Sequence, residues 1–230
     1  MKAATQSSTP RLSETARHVV FPENIVSTAW PRVEAKAAEF GVTYDPWQAG
    51  VGMLALGKTE DGKYAASVGG VVLSIPRQVG KTFLVGTMMV ALALIYPKLT
   101  IIWTSHHQRT SSNTFQTMQG IVSRDNVQPY LLPDRSGGIR RANGEQEIRF
   151  RNGSIIMFGA RAMGFGRGLD AVDIEVFDEA QILDSKALDD MVPAVNQSQH
   201  EAGGLLFFMG TPPRPTDPGF EFTARREKAL

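Results

Sequence analysis

An α/β domain built around a mostly parallel central sheet is predicted by three observations. Short apolar runs alternate along the chain with longer segments that suit helices. Three of those runs lead straight into residues of chemical interest: Arg77 to Thr82, Asp178-Glu179 and Gly210-Thr211. Asn152-Gly153 sits between two alternating stretches at 147–158, a hairpin signal. Ligands of such sheets bind beyond the carboxyl ends of the strands, so the three groups are expected to meet there.

Taken in order, the chain opens with a polar, Ser- and Thr-rich start, MKAATQSSTPRLSETAR, that holds no apolar signal region. Residues 1–20 are read as a flexible arm and 21–230 as one domain. From Pro22 to Phe40 the pattern is helical with an interruption at Pro31, and Gly41 is a stop signal. "VTYDPWQAG" reads as a loop. "GVVLSI", residues 70–75, is a buried parallel strand ended by Pro76. Thr82 to Ile95 is apolar on most faces and makes a buried helix. "LTIIWTS" is the next strand. Gln108 to Val122 forms a helix with Phe115, Met118, Ile121 and Val122 on one side. "VDIEVF" and "GLLFFMG" are two further strands, each followed by a helix.

Composition bounds the chemistry. The 230 residues suffice for a sizeable core and carry a formal net charge of +1, so any nucleic-acid surface must come from local clustering. Cysteine is absent, which excludes disulfides, thiolate zinc sites and cysteine nucleophiles. The longest apolar run, Phe83 to Ile95, is too short for the roughly 20 helical residues that span a bilayer, and no membrane partner is expected.

Gly80-Lys81-Thr82 lies at a strand-to-helix junction. There a glycine lets backbone curl around phosphate oxygens, the lysine reaches the β- and γ-phosphates, and the hydroxyl binds Mg²⁺. The helix that follows adds its positive N-terminus, and Arg77 adds charge. Ile75 stands where the phosphate-loop pattern has its first glycine, and an exposed Gly-Lys turn is the alternative. Asp178 can hold the metal's water shell and Glu179 can polarise an attacking water; an acidic pair capping a helix is the plainer reading. Thr211 could report on the γ-phosphate or sit in a simple Gly-Thr-Pro turn. Gln48 could read adenine, or be a polar loop residue behind Trp47. Arg167, on the glycine-rich "GFGRGLD", could supply charge to a transition state, or be a surface arginine. Five arginines between Arg135 and Arg151, against two glutamates, form either a DNA-tracking patch or a solvated hairpin face. His106-His107 have no metal-site spacing and read as loop histidines.

Together these residues resemble the ATPase domain of tailed-bacteriophage large terminases, from about Val42 to Gly219. "RQVGKT" matches that family's deviant phosphate loop, in which the first glycine is often missing. The resemblance implies a P-loop NTPase of the additional-strand catalytic glutamate type. It assigns ATP contacts to Gln48, Arg77, Gln78, Val79, Gly80, Lys81 and Thr82, and Mg²⁺ to Thr82 and Asp178. It makes Glu179 the catalytic base, Arg77 and Arg167 the charges at the transition state, Arg167 acting in trans, and Thr211 the coupling residue. It further implies double-stranded DNA, the prohead portal protein and the small terminase subunit as partners. Self-association into a pentameric ring on the portal, in the host cytoplasm, is implied as well. The family's C-terminal nuclease domain has no counterpart before Leu230, so no endonuclease activity is expected of this chain. A helicase-like ATPase, suggested by "DEAQ" at 178–181, and a nucleotide-gated assembly protein without turnover are the alternatives.

Overall fold

The structure, a computed structural model, describes residues 10–133, 135–142, 144–166 and 168–228. A helical turn α1 (Leu12–Thr15) precedes a two-residue strand β1 (Ser27–Thr28), helices α2 (Trp30–Glu39) and α3 (Pro46–Ala55), and β2 (Gly57–Lys58), which pairs antiparallel with β1. Then come β3 (Val71–Ser74), α4 (Lys81–Ile95), β4 (Thr100–Ser105) and α5 (Gln108–Val122). The chain continues through β5 (Ile139–Arg140), β6 (Gln146–Arg149), β7 (Ile155–Ala160), β8 (Ile174–Phe177), α6 (Ser185–Asn196), β9 (Leu205–Gly210) and α7 (Phe220–Glu227).

Seven strands form the central sheet in the order β3-β9-β8-β4-β7-β6-β5. The five from β3 to β7 run parallel, and β6 and β5 extend one edge antiparallel. The strands read as unbroken apolar runs because both faces of the sheet are covered. Ile101 and Trp103 of β4, with Leu205, Phe207 and Met209 of β9, face a core shared with α2, α4 and α5. Ile102, Leu206 and Phe208 face the opposite core with Leu188, Met191 and Val195 of α6 and Phe222 of α7. Each fully buried Leu or Phe contributes about 1.5–3 kcal/mol. Helix α4 is buried without interruption from Leu84 to Ala93, which explains a sequence with no polar face. Gly86 lets it approach α5, since a Cβ there would lie 2.3 Å from Cε of Met118.

Glu175 interrupts the apolar run of β8. It is 1% exposed, and its Oε1 has no hydrogen-bond partner. Burial, only partly offset by Arg161, raises its carboxyl from 4.5 to about 8. Between those values the folded chain holds a proton that the unfolded chain has lost, so stability falls as pH rises through this window, by up to about 1.4 kcal/mol per unit. Glu175→Gln is therefore expected to raise the melting temperature above that of the parent at pH 8, by a margin that shrinks toward pH 5. Thermal melts of both proteins across that range check this.

Two expectations are corrected. Pro31 does not interrupt a helix from Pro22 but opens one that starts at Trp30, because a proline in the first turn loses no intrahelical hydrogen bond. "DPWQ" is not loop. It begins α3, where the Asp45 side chain accepts from the backbone of Gln48 and Gln48 Oε1 accepts from the Asp45 N–H at 2.9 Å, a capping box. The 147–158 hairpin is present as expected, with a three-residue turn closed by Gly153 N–H to Phe150 O (3.1 Å) and Phe150 N–H to Ser154 O (2.9 Å). Gly153 takes the left-handed position, φ 86°. Asn152 instead turns its amide onto Ala93 O (2.8 Å) and Tyr96 O (3.3 Å), capping the C-terminus of α4. Of the expected arm, residues 1–9 lie outside the described residues, and Leu12 packs against the core. Among the described residues no helix is long and apolar enough to cross a membrane.

Candidate active site

The carboxyl ends of β3, β8 and β9 lie side by side, and their outgoing loops meet as the sequence predicts. After β3 the chain crosses 75–80 and enters α4. Gly80 stands at its N-cap with φ 91°, a conformation that suits glycine, and offers no side chain to the helix. The first N–H groups of α4 lack intrahelical acceptors and face outward with the positive end of the helix dipole. Arg77, Gln78 and Val79 are exposed, and Gln78 also has a left-handed φ of 61°. Lys81 folds back: its Nζ donates to Ile75 O at 3.0 Å and Pro76 O at 2.8 Å. Burial lowers its pKa, opposed by Asp178 and reinforced by Arg77. Gln48 lies against this loop, for a Cβ on Gly80 would be 3.0 Å from its Nε2.

Asp178 follows β8 and is 8% exposed. Burial raises its carboxyl to about 6, although its Oδ1 accepts the Glu179 N–H at 2.9 Å. Glu179 adopts φ 55°, ψ 42°, the left-handed region. Its carboxylate accepts from the His106 N–H at 3.3 Å and the Thr110 hydroxyl at 3.2 Å. Two of the five non-glycine residues with positive φ among the described residues, Gln78 and Glu179, thus belong to this one site, and such strain collects at functional sites.

A cavity of about 460 Å³ joins the parts, lined by Arg77, His107, Glu179, Gln181, Ile182, Thr211, Pro212, Arg214 and Asp217. Lys81 and Thr82 are not among its lining residues; they are the first two residues of α4. Gln181 ties the loop after β8 to the loop after β9, its Oε1 accepting from the Thr211 N–H at 3.3 Å. Gly210 makes room for that amide, as a Cβ there would lie 2.7 Å from Gln181 Oε1.

The geometry sets Gln48 of α3 against the segment Arg77 to Thr82 at Gly80, and brings Arg77, Glu179 and Thr211 onto the cavity. Arg167 lies outside the described residues. Sequence reasoning missed Arg161, Thr110, the backbone role of His106, and the bridge made by Gln181. His106 keeps its reading as a loop histidine, with a ring pKa lowered mainly by burial and then by His107. The arginine patch is partly cancelled: Arg140 pairs with Glu145 and Glu147, and Arg149 with Glu147 at 2.5 Å. Among the described residues no group of three His, Cys, Asp or Glu could by itself hold a metal ion.

By sequence, the chain matches no protein-family model and no curated protein. By structure it resembles the HK97 bacteriophage large terminase, with a TM-score of 0.67 and 17% identity over 84% of this chain. It also resembles the large terminase ATPase domain of Thermus phage P74-26, with a TM-score of 0.58 and 13% identity over 80% of this chain and 70% of that one. The fold is that of a large-terminase ATPase domain. The chain spans 40% of the length of the HK97 protein. Its sheet places the loop after β3 beside the loops after β9 and β8.

Proposed function

We propose that this chain is an ATP hydrolase, the motor domain of a viral large terminase that couples Mg-ATP turnover to movement of double-stranded DNA into a prohead. One observation carries the reading. An uncapped helix N-terminus with its lysine, a buried Asp178 followed by Glu179, and Thr211 converge where three parallel strands end.

The residues present fit the cofactor. The side-chain-free N-cap leaves α4 open to phosphate oxygens, and Lys81 holds its ammonium on two carbonyls that phosphate could replace. The Thr82 hydroxyl and Asp178 would hold Mg²⁺, which when bound neutralises developing charge on the phosphate oxygens. Gln48 borders the loop from the α3 side, and Gln78 and Val79 give backbone N–H groups to the phosphates. Glu179 is the base that takes the proton of the attacking water. Arg77, on the cavity, supplies positive charge, and Arg167 of a neighbouring copy is the further arginine, acting in trans. Thr211 and Gln181 pass a change at Glu179 to the segment after β9, the mobile element that motion requires. The portal protein, the small terminase subunit and a ring of copies in the host cytoplasm complete this proposal.

The test is the Mg-ATP hydrolysis rate per chain as a function of protein concentration, with Glu179→Gln as control. A rate that climbs with concentration and vanishes in the control is expected. A flat rate that still depends on Glu179 would keep the ATPase and remove the arginine in trans. Parental turnover in the control would sink the mechanism.

A further inference from the structure

The peptide unit between Asp178 and Glu179 is held at both polar ends. Its N–H donates to Oδ1 of Asp178 at 2.9 Å. Its carbonyl accepts from Nη2 of Arg161 at 2.8 Å. The other arm of that guanidinium, Nη1, donates to the Thr104 carbonyl at 2.9 Å and the Thr104 hydroxyl at 3.0 Å.

Thr104 lies on β4 opposite Phe177 of β8, and Arg161 directly follows the last residue of β7. One side chain therefore joins the ends of three neighbouring parallel strands. Arg161 is 9% exposed, and burial lowers its pKa to about 10, against the opposing pull of Asp178 and Glu179. An arginine is seldom buried this deeply. Its planar fork suits the task, because it can serve acceptors on two adjacent strands at once, which a single ammonium does less well.

What the clamp holds is strained. Left-handed backbone is costly for an L-residue, so Glu179 keeps φ 55° only while its surroundings over-determine it. We propose that Arg161 is a positioning residue: it fixes the plane of the Asp178–Glu179 peptide, and with it the left-handed turn that aims Glu179 into the cavity. The proposal rests on the reading of Glu179 as the base.

Charge alone would survive in Arg161→Lys, and packing over the Phe177 ring, 5.9 Å away, would survive in Arg161→Met. Both variants are expected to lose ten-fold or more in kcat for Mg-ATP, since a misplacement of about 1 Å can cost 10²-fold. KM should stay within about two-fold, because the loop after β3 and α4 are untouched. A role confined to stability would instead lower the folded fraction, which nucleotide-binding stoichiometry counts and corrects. Amide hydrogen exchange over 178–182 should accelerate in both. Parental kcat in either folded variant overturns the proposal, and full rescue by lysine does so by reducing Arg161 to a counter-charge. If neither variant folds, Thr104→Val, which deletes one acceptor of the clamp, should lower kcat a few-fold at constant KM; unchanged kcat there also overturns it. If the parent chain hydrolyses no ATP, the ATPase reading fails. Exchange over 178–182 in Arg161→Lys then decides the positioning role by itself, and unaltered exchange rejects it.

Discussion

Glu179→Gln is expected to lower Mg-ATP turnover by about 10²–10⁴-fold, the contribution of a positioned general base, while nucleotide affinity stays within about two-fold. Glutamine keeps the length of the side chain and an oxygen to accept the His106 N–H, and its amide can donate to the Thr110 hydroxyl oxygen. The hydrogen bonds on the Asp178–Glu179 peptide do not involve the Glu179 side chain, so the substitution leaves them in place. Only the ability to take a proton from water is removed. Phosphate release measured beside equilibrium nucleotide binding separates the two effects. Equal losses in binding and turnover would make Glu179 a ligand and not a base.

The parallel sheet was legible because its strands are buried on both faces. "LLFFMG" and "TIIWTS" can be little else once helices flank them, and α5 is seen at 108–122, as its periodicity predicts. What was misread turns on single residues whose meaning depends on position. Pro31 reads as a breaker inside a helix and as a starter in its first turn. Asp45-Pro46-Trp47-Gln48 carries a capping-box spacing and a proline at the first helical position, signals that were in plain view. Asn152-Gly153 predicted a hairpin correctly. Asn152 also bonds the carbonyls ending α4, 56 and 59 residues away, a role that no local pattern announces.

The site divides along similar lines. The residues proposed to act through their own chemistry, Lys81, Asp178, Glu179 and Thr211, follow strands in a local pattern, and the sheet brings those strand ends together. Residues that act on backbone carry no such pattern. Arg161 binds main-chain carbonyls 57 and 17 residues away, and any residue could supply those. Thr110 and the His106 N–H meet Glu179 across 69 and 73 residues. The glycine-rich segment 164–168 drew attention to Arg167, while the arginine six residues earlier holds the buried position.

Lys81→Ala is expected to abolish the stabilisation that Mg-ATP gives the parent chain. Ligand at a hundred times its dissociation constant adds about 2.7 kcal/mol, or roughly 5–10 °C in melting temperature for a chain of this size. The alanine variant should shift by less than about 2 °C under the same conditions. The Lys81 ammonium bonds two carbonyls of the loop, and under the proposed function phosphate takes their place when nucleotide enters. Burial already lowers its pKa, so a binding partner that restores negative charge beside it favours the charged form. The apo melting temperature should change little, because the bonds it makes belong to a half-exposed loop and not to the core. Glu179→Gln, in contrast, should keep the full ligand-induced shift. A comparable shift in Lys81→Ala would mean that nucleotide binds elsewhere, and that the loop after β3 holds its lysine for structure alone.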